Sequence, residues 1–208
     1  WPLSNGARVF FKKPDFNDAQ VLFQASSFGG PSKFAEKDLA NARLIEPVME
    51  SVGWGGFTST ELEKKLTGKQ VALSSGLSYY SESLSGSSTP KDLRTLFELI
   101  YLRFQRPMND ADAYRTVINA IRTGLENADK NPQKAFGDSV RTTLYGNNPR
   151  KAQLTLADLK QANYETIKQL YAQRFNKGGD FDFYFTGAIN EDSLRAFTEQ
   201  YIATLPAV

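Results

Sequence analysis

Short segments in which apolar residues alternate with polar ones, or form brief runs, recur along the chain and predict β-strands. Five such segments stand at residues 6–11, 21–25, 71–73, 77–84 and 181–185. In the last of them Phe181, Phe183 and Phe185 share one face of the strand. A stripe of this kind can line a peptide groove, but at strand spacing it more often faces the core, and we predict the core.

Between and after these strands, apolar residues recur at helical spacing. Thr58 and Glu61 form a capping-box-like entry to one helix, and Gly53 is placed to end the helix before it. The predicted helices cover residues 35–52, 58–66, 90–104, 109–125, 132–144, 155–171 and 191–204. This order favours an α+β fold, with a mostly antiparallel sheet layered against helices, over a doubly wound fold.

Composition narrows the class of protein further. The chain has 208 residues, of which 40% are hydrophobic, 12% aromatic and 23% charged, as in an ordinary globular protein. We therefore predict that residues 1–208 form a single αβ domain. The net charge of +2 comes from scattered basic and acidic residues, so the sequence shows no basic patch of the kind that binds nucleic acid. The apolar runs are far shorter than the roughly 20 residues of a membrane span.

The chain contains no histidine and no cysteine. A transition-metal site of the usual His/Cys kind cannot be built without them. Catalysis by Ser-His, Cys-His or histidine acid/base groups is excluded for the same reason. The lack of cysteine fits a reducing compartment and an oxidising one equally, so composition leaves the compartment open.

Six motif-like segments follow one another along the chain. They are Leu3-Ser4-Asn5-Gly6-Ala7-Arg8-Val9, Phe28-Gly29-Gly30-Pro31-Ser32, Leu144-Tyr145-Gly146-Asn147-Asn148-Pro149, Leu154-Thr155-Leu156-Ala157-Asp158-Leu159, Phe185-Thr186-Gly187-Ala188-Ile189 and Ala203-Thr204-Leu205-Pro206. None is specific alone, but the ordered set covers nearly the whole chain. It resembles the inverted-zinc-motif peptidases, the family that includes pitrilysin, insulysin and the mitochondrial processing peptidase. The resemblance implies a metallopeptidase-like αβ unit of the processing-peptidase type.

The metal motif of that family, H-x-x-E-H, has its counterpart at Arg43-Leu44-Ile45-Glu46-Pro47, and the third ligand, a Glu, at or beside Asn119. The resemblance thus implies that all three metal ligands are lost. Arg43 stays protonated and would repel a dication about 4 Å away by roughly 8 kcal/mol at an effective dielectric of about 20. Pro47 should kink the helix near the carbonyl of Arg43. Glu46 alone matches the general base, and without a metal it has no water to activate.

The resemblance therefore implies a chain with no catalytic residue, cofactor or metal of its own. We expect it to be the first unit of the inactive C-terminal half of a longer zinc peptidase. Its partners would be the active, zinc-bearing half, in the same polypeptide or in a partner subunit, and a peptide substrate that the two halves enclose. The alternative is a structural or peptide-binding subunit of an assembly without peptidase activity. A bacterial periplasm or cell envelope is expected from the family alone.

Two acidic groups and one serine–lysine pair could form a metal site or a catalytic site, but each has a simpler structural interpretation. Asp180 with Asp182, and Asn109 with Asp110 and Asp112, could offer oxygen ligands to Ca²⁺ or Mg²⁺. Neither group has the spacing of an EF-hand loop, and the second predicts a helix N-cap. The Ser88-Thr89-Pro90-Lys91 segment matches S-x-x-K without its companion motifs, which favours chance over a cryptic hydrolase built on Lys91 or Glu46.

Two further features concern loops and edges. The Gly53-Trp54-Gly55-Gly56 segment lacks the spacing of a phosphate-binding loop and predicts a helix exit anchored by Trp54. Tyr79 and Tyr80 could contribute to a peptide groove. An exposed edge of the predicted sheet could bind a peptide by strand addition, which is the mode of peptide contact that we expect.

Overall fold

One five-stranded sheet organises the chain. The computed structural model describes residues 1–14, 19–128 and 131–207. Its strands are β1 Arg8–Lys12, β2 Val21–Phe28, β3 Val71–Ser78, β4 Ser81–Ser88 and β5 Asp182–Gly187, in the order β1-β5-β2-β4-β3. β1 and β5 run parallel, and all other neighbours are antiparallel. The predicted, mostly antiparallel sheet is confirmed.

Helices pack against this sheet and against one another. They are α1 Leu39–Ala42, α2 Ile45–Met49, α3 Ser59–Leu66, α4 Leu93–Arg103, α5 Ala111–Ala128, α6 Pro132–Tyr145, α7 Leu156–Lys160, α8 Tyr164–Phe175 and α9 Glu191–Phe197, which a π-helical turn, Thr198–Ile202, continues. The capping box that begins α3 is present as predicted, with the Thr58 side chain accepting from the Glu61 N–H. A sheet layered against helices confirms the α+β class.

The phenylalanine stripe of β5 lies in the core. Phe181, Phe183 and Phe185 are each at most 1% exposed, and the ring of Phe97 on α4 stacks on Phe185 with a centroid distance of 5.0 Å. This confirms that the stripe faces the core. On the opposite face of the sheet Tyr184 remains 40% exposed.

The expected strand over residues 77–84 is wrong. Tyr79 and Tyr80 form the turn of a hairpin, so that Ser78 of β3 pairs with Ser81 of β4. The serine-rich segment 85–88, which lies beyond the end of the predicted strand, is the second half of β4. Gly86 allows this close packing, since a Cβ there would lie 2.6 Å from the Ala72 carbonyl oxygen. The alternating pattern came from the two arms of the hairpin, and periodicity alone could not place the turn between them.

Two helices that the sequence predicts as continuous are divided. Residues 35–52 contain α1 and α2, which separate at Arg43 and Leu44. The break falls where the kink was expected, because Pro47 has no N–H to donate to the Arg43 carbonyl. Residues 155–171 divide into α7 and α8, because Asn163 is extended and its side chain caps α8 by accepting from the Thr166 N–H at 2.9 Å.

A buried ion pair joins the sheet to the helices. The Glu82 side chain on β4 is 0% exposed, and its Oε1 lies 2.6 Å from Nη2 of Arg174 on α8. Glu82 Oε2 accepts a hydrogen bond from the Gly30 N–H at 2.6 Å. Arg174 Nη2 also donates to the Phe28 carbonyl at 3.2 Å. Sheet, helix and the chain that leaves β2 are thereby held together at one point.

Two glycines allow the close contacts around the Glu82–Arg174 pair. Gly29 and Gly30 have positive φ angles of 155° and 56°. A Cβ on Gly29 would collide with the Arg174 guanidinium, and one on Gly30 with the Ser78 carbonyl oxygen. The Gly-Gly pair is therefore required by the close approach of α8 and of the β3–β4 turn.

We expect Arg174→Met to lower the free energy of unfolding by about 3–5 kcal/mol, because the Glu82 carboxylate would stay buried without its cation. Urea unfolding followed by circular dichroism measures this. The matched control is Arg8→Met, which breaks the Arg8–Asp182 pair, where the Arg8 side chain is 62% exposed. The control should leave the unfolding midpoint nearly unchanged. Equal midpoint shifts in the two variants would contradict the central role of the buried pair.

Candidate functional site

Arg43, which stands at the break between α1 and α2, is a bridging residue in this structure. Its guanidinium donates a hydrogen bond to the Pro149 carbonyl and lies 3.5 Å from Asp158 Oδ2. Asp158 also accepts from the Thr155 N–H at 2.9 Å in the capping box of α7. Arg43 thus ties the α1–α2 break to the start of α7. A guanidinium engaged in this way has no lone pair to offer a metal.

Glu46 and Pro47 lie on α2, next to this bridge. Glu46 is exposed, and within residues 1–14, 19–128 and 131–207 its carboxylate makes no hydrogen bond or salt bridge. The Pro47 carbonyl accepts from the Ser51 hydroxyl at 2.8 Å. Nothing here positions Glu46 as a base.

Asn119 is exposed on α5, where its Oδ1 accepts from Arg122 of the same helix at 2.9 Å. In the part of the chain that the structure describes, no hydrogen bond or ion pair joins Asn119 to Arg43, Glu46 or Pro47. Nor do three or more Asp or Glu side chains group there closely enough to hold a metal ion. Zinc takes Cys, His and carboxylate ligands in proteins, and of the four side chains only Glu46 is of such a type, so the set does not fit zinc.

At least one residue in each of the other two acidic groups has a structural partner. Asp110 Oδ1 accepts from the Ala113 N–H at 3.1 Å, which confirms the predicted N-cap of α5. Its Oδ2 accepts from the Ser59 N–H at 3.3 Å. Asp182 is held by Arg8 through hydrogen bonds of 2.7 and 2.6 Å.

The S-x-x-K pair is not assembled as a nucleophile and base. Ser88 is 4% exposed, and its Oγ has no hydrogen-bond partner among the described residues. Lys91 is exposed and follows the cap of the next helix. The helix exit behaves as predicted, because Trp54 is 2% exposed, packs on Tyr171 at 5.3 Å between ring centroids and donates to the Met49 carbonyl at 3.3 Å.

The free edge of β3 is covered at its centre by two charged side chains. Glu50 Oε1 accepts from the Ser75 N–H at 2.8 Å and from its hydroxyl at 2.6 Å. Arg103 donates to the Leu73 carbonyl at 3.4 Å and lies 3.2 Å from Glu50. Leu73 and Ser75 are two residues apart, so both groups point to the same edge, away from β4. These backbone groups are the ones that an added strand would need.

Strand addition, the mode of peptide contact expected from sequence, is therefore obstructed at Leu73–Ser75. The Arg103 side chain is only 11% exposed, donates to the Met49 carbonyl at 3.1 Å and lies over the Trp54 ring at 4.8 Å. Sequence reasoning missed Glu50 and Arg103, because they are 53 positions apart in the sequence and meet only when the chain folds. A Glu directly after a buried helical segment was the only local signal.

Uncovered apolar side chains form at least two surfaces in the part of the chain that the structure describes. On α6, Phe136, Val140 and Leu144 are spaced four residues apart and are 72%, 40% and 70% exposed. On the open face of the sheet, the rings of Phe10 and Tyr184 stack at 4.9 Å between centroids, although Phe10 is 43% exposed. Patches of this kind mark surfaces that bind other protein. We call the first of them the α6 stripe.

Sequence comparison finds relatives among zinc proteases. No family model matches the chain. The chain is 22% identical over 205 residues to "Zinc protease PQQL-like" of Arabidopsis thaliana and 23% identical over 211 residues to "Probable zinc protease PqqL" of Haemophilus influenzae. Each match covers 98% of this chain, but 19% and 22% of the respective relatives. The chain thus spans about a fifth of the length of the curated relatives it matches.

Solved structures show the same fold. The periplasmic protease PqqL from Escherichia coli matches with a TM-score of 0.84 and 24% identity over 99% of this chain and 23% of that chain. The first half of the same protease gives 0.73 and 18% identity over 100% of this chain and 46% of that chain. An M16 peptidase inactive domain from Pseudomonas fluorescens gives 0.78 and 18% identity over 100% of this chain and 51% of its own. The predicted resemblance to the zinc-peptidase family is confirmed.

The names of the matched proteins state the metal and the compartment of those proteins. The curated relatives are named as zinc proteases, and one matched structure is that of a periplasmic protease. None of the helices that the structure describes is long and apolar enough to cross a membrane.

We expect Glu50→Ala to lower the free energy of unfolding by about 1–3 kcal/mol, because the buried Ser75 N–H loses its acceptor. The variant should also self-associate, since the β3 edge becomes available for pairing. Urea unfolding and sedimentation velocity measure the two effects. The control Glu46→Ala, on the same helical segment, should change neither property. A Glu50→Ala protein as stable and monomeric as the control would contradict the covered edge.

Proposed function

We propose that this chain is a noncatalytic αβ unit of a zinc metallopeptidase, and that it acts by packing against the remainder of the longer protein. In that role it helps enclose the peptide, which the zinc-bearing half hydrolyses. The observation that carries the proposal is Arg43, a cation bound to Asp158 and Pro149 at the position where the family has its first metal ligand. Zinc belongs to the active half, and this chain binds none.

The proposal assigns residues 1–208 to the first unit of the inactive C-terminal half. Two comparisons support this assignment. The complete PqqL protease matches better than its first half, with TM-scores of 0.84 against 0.73, which favours a counterpart in the second half. The chain also covers 51% of an M16 inactive domain, as expected for one of two units of similar size. A periplasmic setting for this chain rests on the periplasmic PqqL protease.

The uncovered surfaces support packing against other protein. The α6 stripe exposes three large apolar side chains on a helix that has no buried residue in the described part of the chain. A solvent-exposed stripe of this kind has no stabilising role in the isolated chain, because its side chains bury little area. It gains one when a partner covers it.

The direct experiment mixes this chain with the zinc-bearing half of the longer protein and measures peptide hydrolysis. We expect no hydrolysis by the chain alone and stimulation of the active half when the chain is added. An active half that is indifferent to the chain would instead favour a structural or peptide-binding subunit without a role in proteolysis. Hydrolysis by the chain alone, lost in Glu46→Gln, would contradict the proposal.

We expect the double variant Phe136→Ser with Leu144→Ser to abolish the stimulation, because both side chains belong to the α6 stripe. Its own unfolding midpoint should stay nearly unchanged, since these side chains are already exposed in the isolated chain. The matched control on the same helix is Gln133→Ser with Ser139→Ala, which alters exposed polar residues. Stimulation at the unaltered level by the apolar double variant would show that α6 does not contact the active half.

A further inference from the structure

An apolar groove lies between α3, α4 and the π-helical turn, away from the motif positions. Its volume is about 460 Å³, and four half-buried leucines form its floor: Leu62, Leu66, Leu99 and Leu102. Tyr101 and Tyr201 close one side, with their rings 6.4 Å apart between centroids. A second depression of about 310 Å³ shares the four leucines and extends the floor towards the β3 edge.

The leucines are spaced as a helix-binding surface requires. Leu62 and Leu66 are four residues apart on α3, and Leu99 and Leu102 are three apart on α4, so each pair shares one face of its helix. The two faces form a trough. A third helix can lay an apolar ridge into such a trough, as peptide helices do in hydrophobic grooves.

The rim of the groove is positively charged. Lys65 and Lys69 line it, and neither makes a salt bridge with a carboxylate in the described ranges. Lys65 Nζ lies over the Phe57 ring at 4.5 Å, and Lys69 Nζ donates to the Thr95 hydroxyl at 2.7 Å. Each ammonium group has three donors, so both retain capacity for an anionic partner.

Three of the neighbouring carboxylates are already engaged, whereas Glu63, which lines the second depression, makes no ion pair among the described residues. Glu98, on the groove wall, pairs with Arg94 at 3.2 Å. Glu61 accepts from the Thr58 N–H and hydroxyl, both at 2.9 Å, and these hydrogen bonds hold the pKa of Glu61 below its ordinary value. Asp92 accepts from the Gln70 N–H at 2.9 Å, which lowers its pKa in the same way. The charged side chains that line the 460 Å³ groove are Lys65, Lys69 and Glu98, so the two lysines leave this groove with a net positive charge.

We propose that this α3–α4 groove binds an amphipathic helix of a partner protein, with acidic residues flanking its apolar face. The leucine floor takes the apolar ridge, and Lys65 and Lys69 pair with the carboxylates. The trough between two helices favours a helix as the occupant, and the charge of the rim favours an acidic one. This site is separate from the α6 stripe and does not depend on the proposed peptidase role.

The test uses two synthetic 14-residue helical peptides with the same leucines at positions i, i+3, i+4 and i+7. One carries Glu on both flanks, and the other carries Lys. Fluorescence anisotropy measures binding of each to the complete chain. We expect the acidic peptide to bind at least tenfold more tightly than the basic one. The double variant Lys65→Glu with Lys69→Glu should reverse this preference, whereas the control Lys33→Glu with Lys37→Glu, at exposed lysines outside the groove, should leave it unchanged.

Two results would contradict the proposed helix-binding groove. If the acidic peptide does not bind, or binds as well to the Lys65→Glu, Lys69→Glu variant, the proposed site is wrong. If dodecanoate binds in the groove while the acidic peptide does not, the occupant is a small anionic amphiphile and the helix proposal fails. Circular dichroism of each variant confirms that the fold is intact before binding is compared.

Discussion

The buried ion pair between Glu82 and Arg174 is the contact on which the architecture depends. A fully buried carboxylate is tolerated only when it is paired and hydrogen-bonded, and here Arg174 and the Gly30 N–H provide both conditions. The requirement fixes the distance between β4 and α8, and it forces glycine at positions 29 and 30. The sheet, the hairpin turn and α8 therefore share one electrostatic constraint.

Charged side chains elsewhere in the structure are used in a similar way, to hold elements together rather than to carry out chemistry. Arg43 joins the broken first helical region to α7, and Arg103 with Glu50 covers the centre of the β3 edge. A guanidinium suits both positions, because its planar fork can satisfy several acceptors at once. The region that could have presented a metal or a peptide-binding edge is thus occupied by internal contacts. These internal contacts support the proposed function by packing.

The sequence predicted those features that depend on local periodicity or on an ordered motif set. The Phe181, Phe183 and Phe185 stripe repeats every second residue and lies in the core, and Pro47 marks the helix break by its missing N–H. The β3–β4 turn was missed, because Tyr79 and Tyr80 are not typical turn residues. The Glu50–Arg103 pair was missed as well, since a contact between residues far apart in the sequence produces no periodic pattern along the chain. Four motif positions were located through a family resemblance, but their contacts required the structure.

Zinc binding by the purified chain decides whether this chain holds a metal of its own. Equilibrium dialysis against micromolar zinc, followed by elemental analysis, gives the bound metal per chain. We expect no specific binding, because Arg43 and Pro47 supply no ligand atoms and the described carboxylates do not converge. One zinc ion per chain, lost on changing Glu46 to Gln, would contradict a noncatalytic role.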